Sequence, residues 1–221
     1  GGTIDLEGNL SAPASTGTAP NHTGQLNICT LQVNIKGNTT QTYATQSGSG
    51  PKITLPTGTT STFQPAAGTE GDTHGFCNLT IQAGTFVAPS GTVTLYEPDL
   101  YPQPPNSAFL TFSGGTYTHS NGTMKWDQFS KGANKTFEVA ISSPLTLNNL
   151  TIGGAQRTSN SEYDLTGISS TLTVLGDLLF ATDGSQFTYP RINMIGGLIS
   201  VGGNVTAAVL NQEYQIASVV N

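Results

Sequence analysis

The residues best suited to chemistry in this chain of 221 residues lie in short polar stretches between apolar runs. The stretch TEGDTHG places Glu70, Asp72 and His74 close together, and oxygen-rich groups of this kind are typical calcium ligands. It lacks the Asp-rich spacing of a calcium-binding loop, and a single polar stretch is more typical of a solvated turn. We therefore predict no metal and no other cofactor.

A second set combines acidic and aromatic side chains, as in β-helical enzymes that hold a sugar between carboxylates. It consists of Tyr96, Glu97, Asp99, Tyr101, Trp126 and Asp127. No spacing indicates that two of these carboxylates meet. The chain also lacks the GxSxG, HExxH and phosphate-loop motifs. We therefore predict that the protein is not an enzyme, with a glycan-binding or glycan-cleaving β-helix as the least favoured alternative.

The composition of the chain excludes several other classes of function. Only 9% of the residues are charged and the net charge is −6, so no basic stripe exists for nucleic acid to bind. No run of eighteen apolar residues occurs, so we expect no membrane span. The 34 Thr and 27 Gly, together with Val, Ile, Tyr and Phe, favour short strands joined by turns. This composition predicts an all-β fold.

The two cysteines, Cys29 and Cys77, allow one pairing within the chain. A disulfide between them would suit an exported protein, and two buried thiols are the alternative. We expect the disulfide.

Eight Asn-x-Ser/Thr sequons indicate a glycosylated surface protein, because such sites accept N-linked glycans where the machinery exists. The glycosylation candidates are Asn21, Asn38, Asn121 and Asn134. A second group belongs to repeated phrases, and there the favoured interpretation is that Asn turns a corner of the chain. This group consists of Asn78, Asn149 and Asn204.

Strand-like runs recur along the chain, and two phrases repeat within them. The first phrase, NLTI, follows Cys77 and Asn148. The second has the form apolar-x-apolar-x-Gly-Asn/Asp-apolar and occurs at residues 4–10, 172–178 and 199–205. We interpret its Gly as permitting a tight corner and its Asn or Asp as tolerating a left-handed backbone there. The last two copies are 27 residues apart, about one coil of a solenoid.

The segments FCNLTIQAGTFVAPSGTVTL, GGTYTHSNGTMKW and LTLNNLTIGG resemble the repetitive parts of large secreted prokaryotic surface proteins. The resemblance covers residues 74–207, and the first dozen residues join it weakly. It implies a right-handed parallel β-helix, or solenoid, at the cell surface or outside the cell. It also implies a non-enzymatic role in adhesion or scaffolding, and it transfers no catalytic residue.

We expect two regions: an N-terminal β region of residues 1–73 and solenoid repeats in residues 74–221. The stretches that begin at Ser11 and Gly48 are rich in Pro, Gly and Thr and lack the coil rhythm. An N-terminal β-sandwich that leads into the solenoid is therefore one alternative. A pilin-like β-sandwich with a donated strand is another.

The chain opens with GGTIDLEGNLSA and carries the similar phrase GGLISVGGNVTA at residues 196–207. The two ends of a solenoid are sheet edges that must be capped or paired, and neither terminal sequence has the pattern of a cap. We expect the N-terminal strand, with Ile4, Leu6 and Leu10, to complete a neighbouring subunit. Such contacts would give a homopolymer, an extracellular filament, with glycans or other cell-surface components as further partners. The alternative is one segment of a large adhesin or surface-layer protein.

Overall fold

The computed structural model describes residues 3–6, 32–43, 52–96, 108–127, 136–153, 162–181, 191–193 and 197–207. Within these ranges the chain forms strands and no helix, so no helix there has the length to cross a membrane. The strands are β1 (Thr3–Leu6), β2 (Gln32–Ile35), β3 (Thr40–Tyr43), β4 (Lys52–Leu55), β5 (Thr62–Pro65), β6 (Thr73–Phe76), β7 (Asn78–Ile81), β8 (Thr85–Val87), β9 (Thr92–Tyr96), β10 (Leu110–Phe112), β11 (Thr116–Thr118), β12 (Thr123–Asp127), β13 (Thr136–Ile141), β14 (Leu145–Leu147), β15 (Asn149–Gly153), β16 (Glu162–Ile168), β17 (Thr171–Val174), β18 (Leu178–Ala181), β19 (Arg191–Asn193), β20 (Leu198–Val201) and β21 (Val205–Ala207).

The strands pair in parallel and stack into four sheets. Sheet A has the order β1-β2-β4-β7-β10-β13-β16-β19, sheet B β3-β5-β8-β11, sheet C β6-β9-β12-β15-β18-β21 and sheet D β14-β17-β20. Since β14 lies beside β11, sheets B and D follow one another on one side. From β4 onward the chain visits sheet A, then B or D, then C in each turn. The predicted all-β parallel solenoid is confirmed.

Alternation within each strand decides which side chains enter the interior. In β4 and β7, every second residue is buried, because successive side chains of a strand point to opposite faces. The register then stacks like on like: Ile53 pairs with Leu79, Leu79 with Leu110, and Leu110 with Val139. This stacking makes one continuous apolar core along the solenoid axis.

The early turns fill this core with aromatic rings. Phe63, Phe86 and Tyr117 occupy register-paired positions of sheet B. The rings of Phe86 and Tyr117 lie nearly parallel, with centroids 5.7 Å apart. Tyr43 adds a ring 4.8 Å from Phe63, and its hydroxyl donates a hydrogen bond to the Val87 carbonyl at 2.7 Å. Burial raises the pKa of Tyr43 above its usual range, so the phenol stays neutral and keeps donating.

The later turns fill the core with aliphatic side chains. These are Leu145, Leu147, Leu150, Ile152, Leu165, Ile168, Leu172, Val174 and Leu178, each at most 5% exposed. Ile152, Ile168 and Val174 are β-branched and favour strands, and the leucines fill the space between the sheets.

The described strands of the N-terminal third belong to the same solenoid. β1, β2 and β4 extend sheet A, and β3 and β5 extend sheet B, all in parallel. They do not form the β-sandwich that the sequence offered as an alternative. The boundary expected between residues 73 and 74 falls within β6, which is the first strand of sheet C.

Candidate assembly site

The C-terminal turn of the solenoid presents an edge. Among the described residues, β20 and β21 are hydrogen-bonded on one side only, to β17 and β18. Leu198 in β20 is 45% exposed and Val205 in β21 is 49% exposed. Their register partners are Thr171 and Leu178, and Leu178 is only 5% exposed. Val205 is therefore an inward-facing position that a further turn would bury, whereas Leu198 lies in register with the half-buried Thr171 on the outer face.

A ladder of side-chain hydrogen bonds marks the corner that leads into sheet C. The Asn149 Oδ1 accepts a hydrogen bond from the Asp177 backbone N–H at 2.9 Å. One turn later, the Asp177 Oδ1 accepts from the Asn204 N–H at 2.8 Å and from the Asn204 side-chain amide at 3.2 Å. We call Asn149, Asp177 and Asn204 the corner ladder. Each rung joins the side-chain oxygen of one turn to the backbone of the next.

The glycine before each later rung is required by close approach. A Cβ built on Gly176 would lie 2.3 Å from the Asn149 Oδ1, and one built on Gly203 would lie 2.6 Å from the Asp177 Oδ1. Neither glycine has a positive φ, and Ser120 and Asn121 are the non-glycine residues with positive φ in the described ranges. The expected left-handed corner is therefore wrong at Gly176-Asp177 and Gly203-Asn204. The phrase needs Gly for space and Asx for its oxygen.

The two later copies of the phrase stack directly on one another. Leu172 pairs with Ile199 and Leu178 with Val205, in register and 27 residues apart, as their spacing predicts. The phrase thus packs against a second copy of itself within the molecule.

The N-terminal copy occupies a different place. β1, which contains Ile4 and Leu6, pairs with β2 at the edge of sheet A, whereas the later copies lie in sheets D and C. The Asp5 carboxylate accepts a hydrogen bond from the Asn34 amide at 2.7 Å and contacts the Lys36 ammonium at 2.8 Å. These two partners, Lys36 first, hold the pKa of Asp5 below its usual value. Leu10 lies outside the described residues.

The glycosylation candidates divide by what the structure describes. Asn38 and Asn121 are exposed, as an N-linked glycan requires, and their occupancy stays a prediction. Asn21 and Asn134 lie outside the described residues. The amide of Asn78 donates to the Ala108 carbonyl, so this side chain links two turns.

The structure describes one of the two cysteines, Cys77. Cys77 is fully buried between β6 and β7 and is disulfide-bonded. Cys29 lies outside the described residues, so the pairing of the two cysteines stays a prediction.

The polar stretch before β6 does not converge on a metal. His74 is 1% exposed and its Nε2 lies 2.8 Å from the Thr69 carbonyl, whereas Glu70 and Asp72 are exposed. The Glu70 carboxylate accepts from the Gly68 N–H at 2.8 Å. In the part of the chain that is described, no three His, Cys, Asp or Glu residues group as metal ligands.

The structure describes three members of the acidic and aromatic set, Tyr96, Trp126 and Asp127. Trp126 is fully buried and stacks on Phe137 with centroids 6.0 Å apart, so its ring is not exposed as the least favoured alternative, a glycan-binding β-helix, would require. Tyr96 and Asp127 are register partners in sheet C. The Asp127 carboxylate contacts the Lys125 ammonium at 2.7 Å. Glu97, Asp99 and Tyr101 lie outside the described residues.

The exposed edge and the corner ladder were only partly visible in the sequence. The repeated Gly-Asn/Asp pair indicated the corner ladder. Nothing in the sequence showed that the side-chain oxygen of the Asn or Asp accepts a hydrogen bond from the next turn. In comparisons with known proteins, no family model, no curated protein and no solved structure matches this chain. Function is therefore inferred from the geometry of the edges.

Proposed function

We propose that this protein is a structural subunit of an extracellular filament or surface appendage, in which identical subunits assemble through β-strand or coil pairing. The observation that carries the proposal is the edge at β20 and β21, where the described strands pair on one side and two apolar side chains are about half exposed. A parallel edge of this kind is a template for another chain, because its N–H and C=O groups point outward.

The two ends of the solenoid are different surfaces. One end carries β1 in sheet A, and the other carries β19, β20 and β21 in three sheets. A contact between unlike surfaces is heterologous, and it continues indefinitely unless its rotation closes a ring. End-to-end pairing of copies would therefore give a linear polymer.

Two further observations support a location outside the cell. Cys77 is in a disulfide, which is typical of oxidising compartments. Only 9% of the residues are charged, so cohesion depends on backbone ladders and apolar stacking rather than on ion pairs that salt would screen.

The second candidate is a segment of a large adhesin or surface-layer protein. The same edges favour it, because further turns of one long chain would stack on them as well as a second subunit would. A carbohydrate-acting β-helix is less favoured, because Trp126, the one tryptophan, lies in the core.

Electron microscopy and analytical ultracentrifugation of the untagged protein test the proposal. We expect filaments whose axial repeat corresponds to one subunit. Val205→Lys should prevent growth, because Val205 is an inward position like its register partner Leu178 and the ammonium would have to be desolvated in the contact. Leu175→Lys is the matched control, since Leu175 is also half exposed, at 50%, but lies one turn inside the edge. A protein that stays monomeric at high concentration with both ends intact would contradict the proposal.

A further inference from the structure

We propose that residues 3–10 of a second copy add to β20 and β21 as the next rung of the solenoid, with Gly8 and Asn9 of that copy extending the corner ladder. This inference rests on the proposed function, because it specifies how the copies join. The site is the outer edge of sheets D and C, and its occupant is the N-terminal segment of a second copy.

Two copies of the phrase already stack on one another within the molecule. In register, β17 pairs with β20 and β18 pairs with β21, so the copy LTVLGDL lies beside the copy ISVGGNV. IDLEGNL of residues 4–10 is the remaining copy of the same phrase. Continuing the register places Ile4 of the second copy on Ile199, Leu6 on Val201 and Leu10 on Val205.

The hydrogen bonds of the corner ladder can continue into the added strand. The Asn149 oxygen accepts the Asp177 N–H, and the Asp177 oxygen accepts the Asn204 N–H. The same geometry places the Asn204 Oδ1 against the N–H of Asn9 in the second copy. At that point the incoming chain must carry glycine, because a Cβ collides with the oxygen at both earlier rungs, and Gly8 is the residue found there.

The last rung leaves apolar surface that an added strand would cover. Leu198 and Val205 are about half exposed on the last rung, and Ile199 and Val201 are partly buried. Thr3 of the second copy would lie beside Leu198 on the outer face. Leu10 of the second copy would cover Val205, and Ile4 and Leu6 would stack on the partly buried pair. Burial of these side chains favours the rung, since about 25 cal/mol is gained per Å² of apolar surface removed from water.

The position of β1 within its own subunit is the competing state. There β1 pairs with β2 alone, through four register positions and the exposed contacts of Asp5. The donated position offers pairing in sheets D and C together. Exchange of β1 between copies would thus be a strand addition of the kind seen in donor-strand complexes.

Cysteine cross-linking of filaments tests the register. Asp5→Cys with Ser200→Cys places two thiols on exposed, adjacent positions of the proposed pair, within the range a disulfide can bridge. We expect oxidation to yield covalent ladders of subunits that reducing agent dissolves. Asp5→Cys with Thr206→Cys is the off-register control and should not cross-link.

A third pair separates the proposal from simple end-to-end stacking. If β1 stays in sheet A, a second copy would lay it on β19, and Asp5→Cys would cross-link to Asn193→Cys. That result, or filaments that cross-link at neither pair, overturns this inference and leaves the proposed function standing. Wild-type protein that forms no filament overturns both the proposed function and this inference.

Hydrogen exchange of the monomer is a separate test. Amides of β20 that are already protected from exchange in the monomer would show that the subunit covers its own edge, and would also overturn the inference.

A glycine variant gives an independent readout. Gly8→Ala should abolish filament growth, because its Cβ would meet the Asn204 oxygen, and Glu7→Ala should not, since Leu175 and Gly202 hold that position in the other copies. Adding Asn204→Ala to Gly8→Ala should partly restore growth by removing the colliding oxygen. Growth of Gly8→Ala at the wild-type rate would overturn the inference.

Discussion

The early and late turns of this solenoid are held together in different ways. Between β2–β3 and β4–β5, hydroxyl groups join the corners: the Ser61 Oγ donates to the Lys36 carbonyl at 2.9 Å and the Thr59 Oγ1 to the Gly37 carbonyl at 3.0 Å. The interior there is a cluster of rings. In the late turns, the corner ladder replaces the hydroxyls and aliphatic side chains replace the rings.

This difference in how the turns are joined indicates which end of the solenoid can accept a further turn. The aromatic cluster is confined to the early turns, since β14, β17 and β20, which continue the side of β11, contain no aromatic residue. The corner ladder uses one geometry twice, at Asp177 and at Asn204. A repeated geometry can accept a further rung, whereas the aromatic cluster is complete in itself.

The largest expected effect comes from breaking the aromatic cluster. Phe86 is fully buried and contacts rings of Tyr43, Phe63, Phe76 and Tyr117. Phe86→Ala should lower the free energy of unfolding by about 3–5 kcal/mol, because it removes a large side chain and leaves a cavity. Chemical denaturation measures this loss, and Thr116→Ala at an exposed position is the control.

A smaller effect should follow from Gly176→Ala in the corner ladder. The added Cβ displaces the Asn149 oxygen and leaves the Asp177 N–H without its acceptor, which should cost about 1–3 kcal/mol. Gly71→Ala is the control, because a Cβ there meets no atom within 4 Å, and we expect a change below about 0.5 kcal/mol.

A double-mutant cycle sharpens this result. In an Asn149→Ala background the colliding oxygen is gone, so the further cost of Gly176→Ala should fall. An undiminished cost in that background would show that the glycine is needed for some reason other than the ladder.

The smallest effect concerns the attachment of β1. Hydrogen bonds from Lys36 and Asn34 hold the pKa of Asp5 below its ordinary value of 3.8. Their contribution is therefore present above that value and is lost as the pH falls through the lower, folded-state pKa. The protection factors of the β1 amides, which are exchange rates corrected for the intrinsic effect of pH, should fall at acid pH in the wild type and should be low at all pH values in Asp5→Asn. Protection factors in the wild type that do not change with pH would contradict this role of Asp5.

Much of the architecture was predictable because its causes are local. Alternating Thr and branched apolar residues predicted short strands, and the 27-residue interval of the Gly-Asx phrase predicted one turn, as the pairing of β17 with β20 confirms. The interior positions of Trp126 and His74 were not predictable, since a polar or aromatic residue beside an acid is equally common at a surface. The corner ladder was not predictable either, because the sequence does not show which residue of the preceding turn lies next to Gly176.

Sequence by itself determined that this chain is all-β, that its strands are short, and where the Gly-Asx corners occur. Each of these follows from side-chain branching, period-two alternation and the space around glycine. Only the tertiary structure decided which side of the solenoid each phrase occupies. NLTI forms β7 in sheet A and β15 in sheet C, and the Gly-Asx phrase begins in sheet A at β1 but in sheet D at β17. The period-two pattern is the same on every side, so a strand's place is set by the neighbours that distant turns supply.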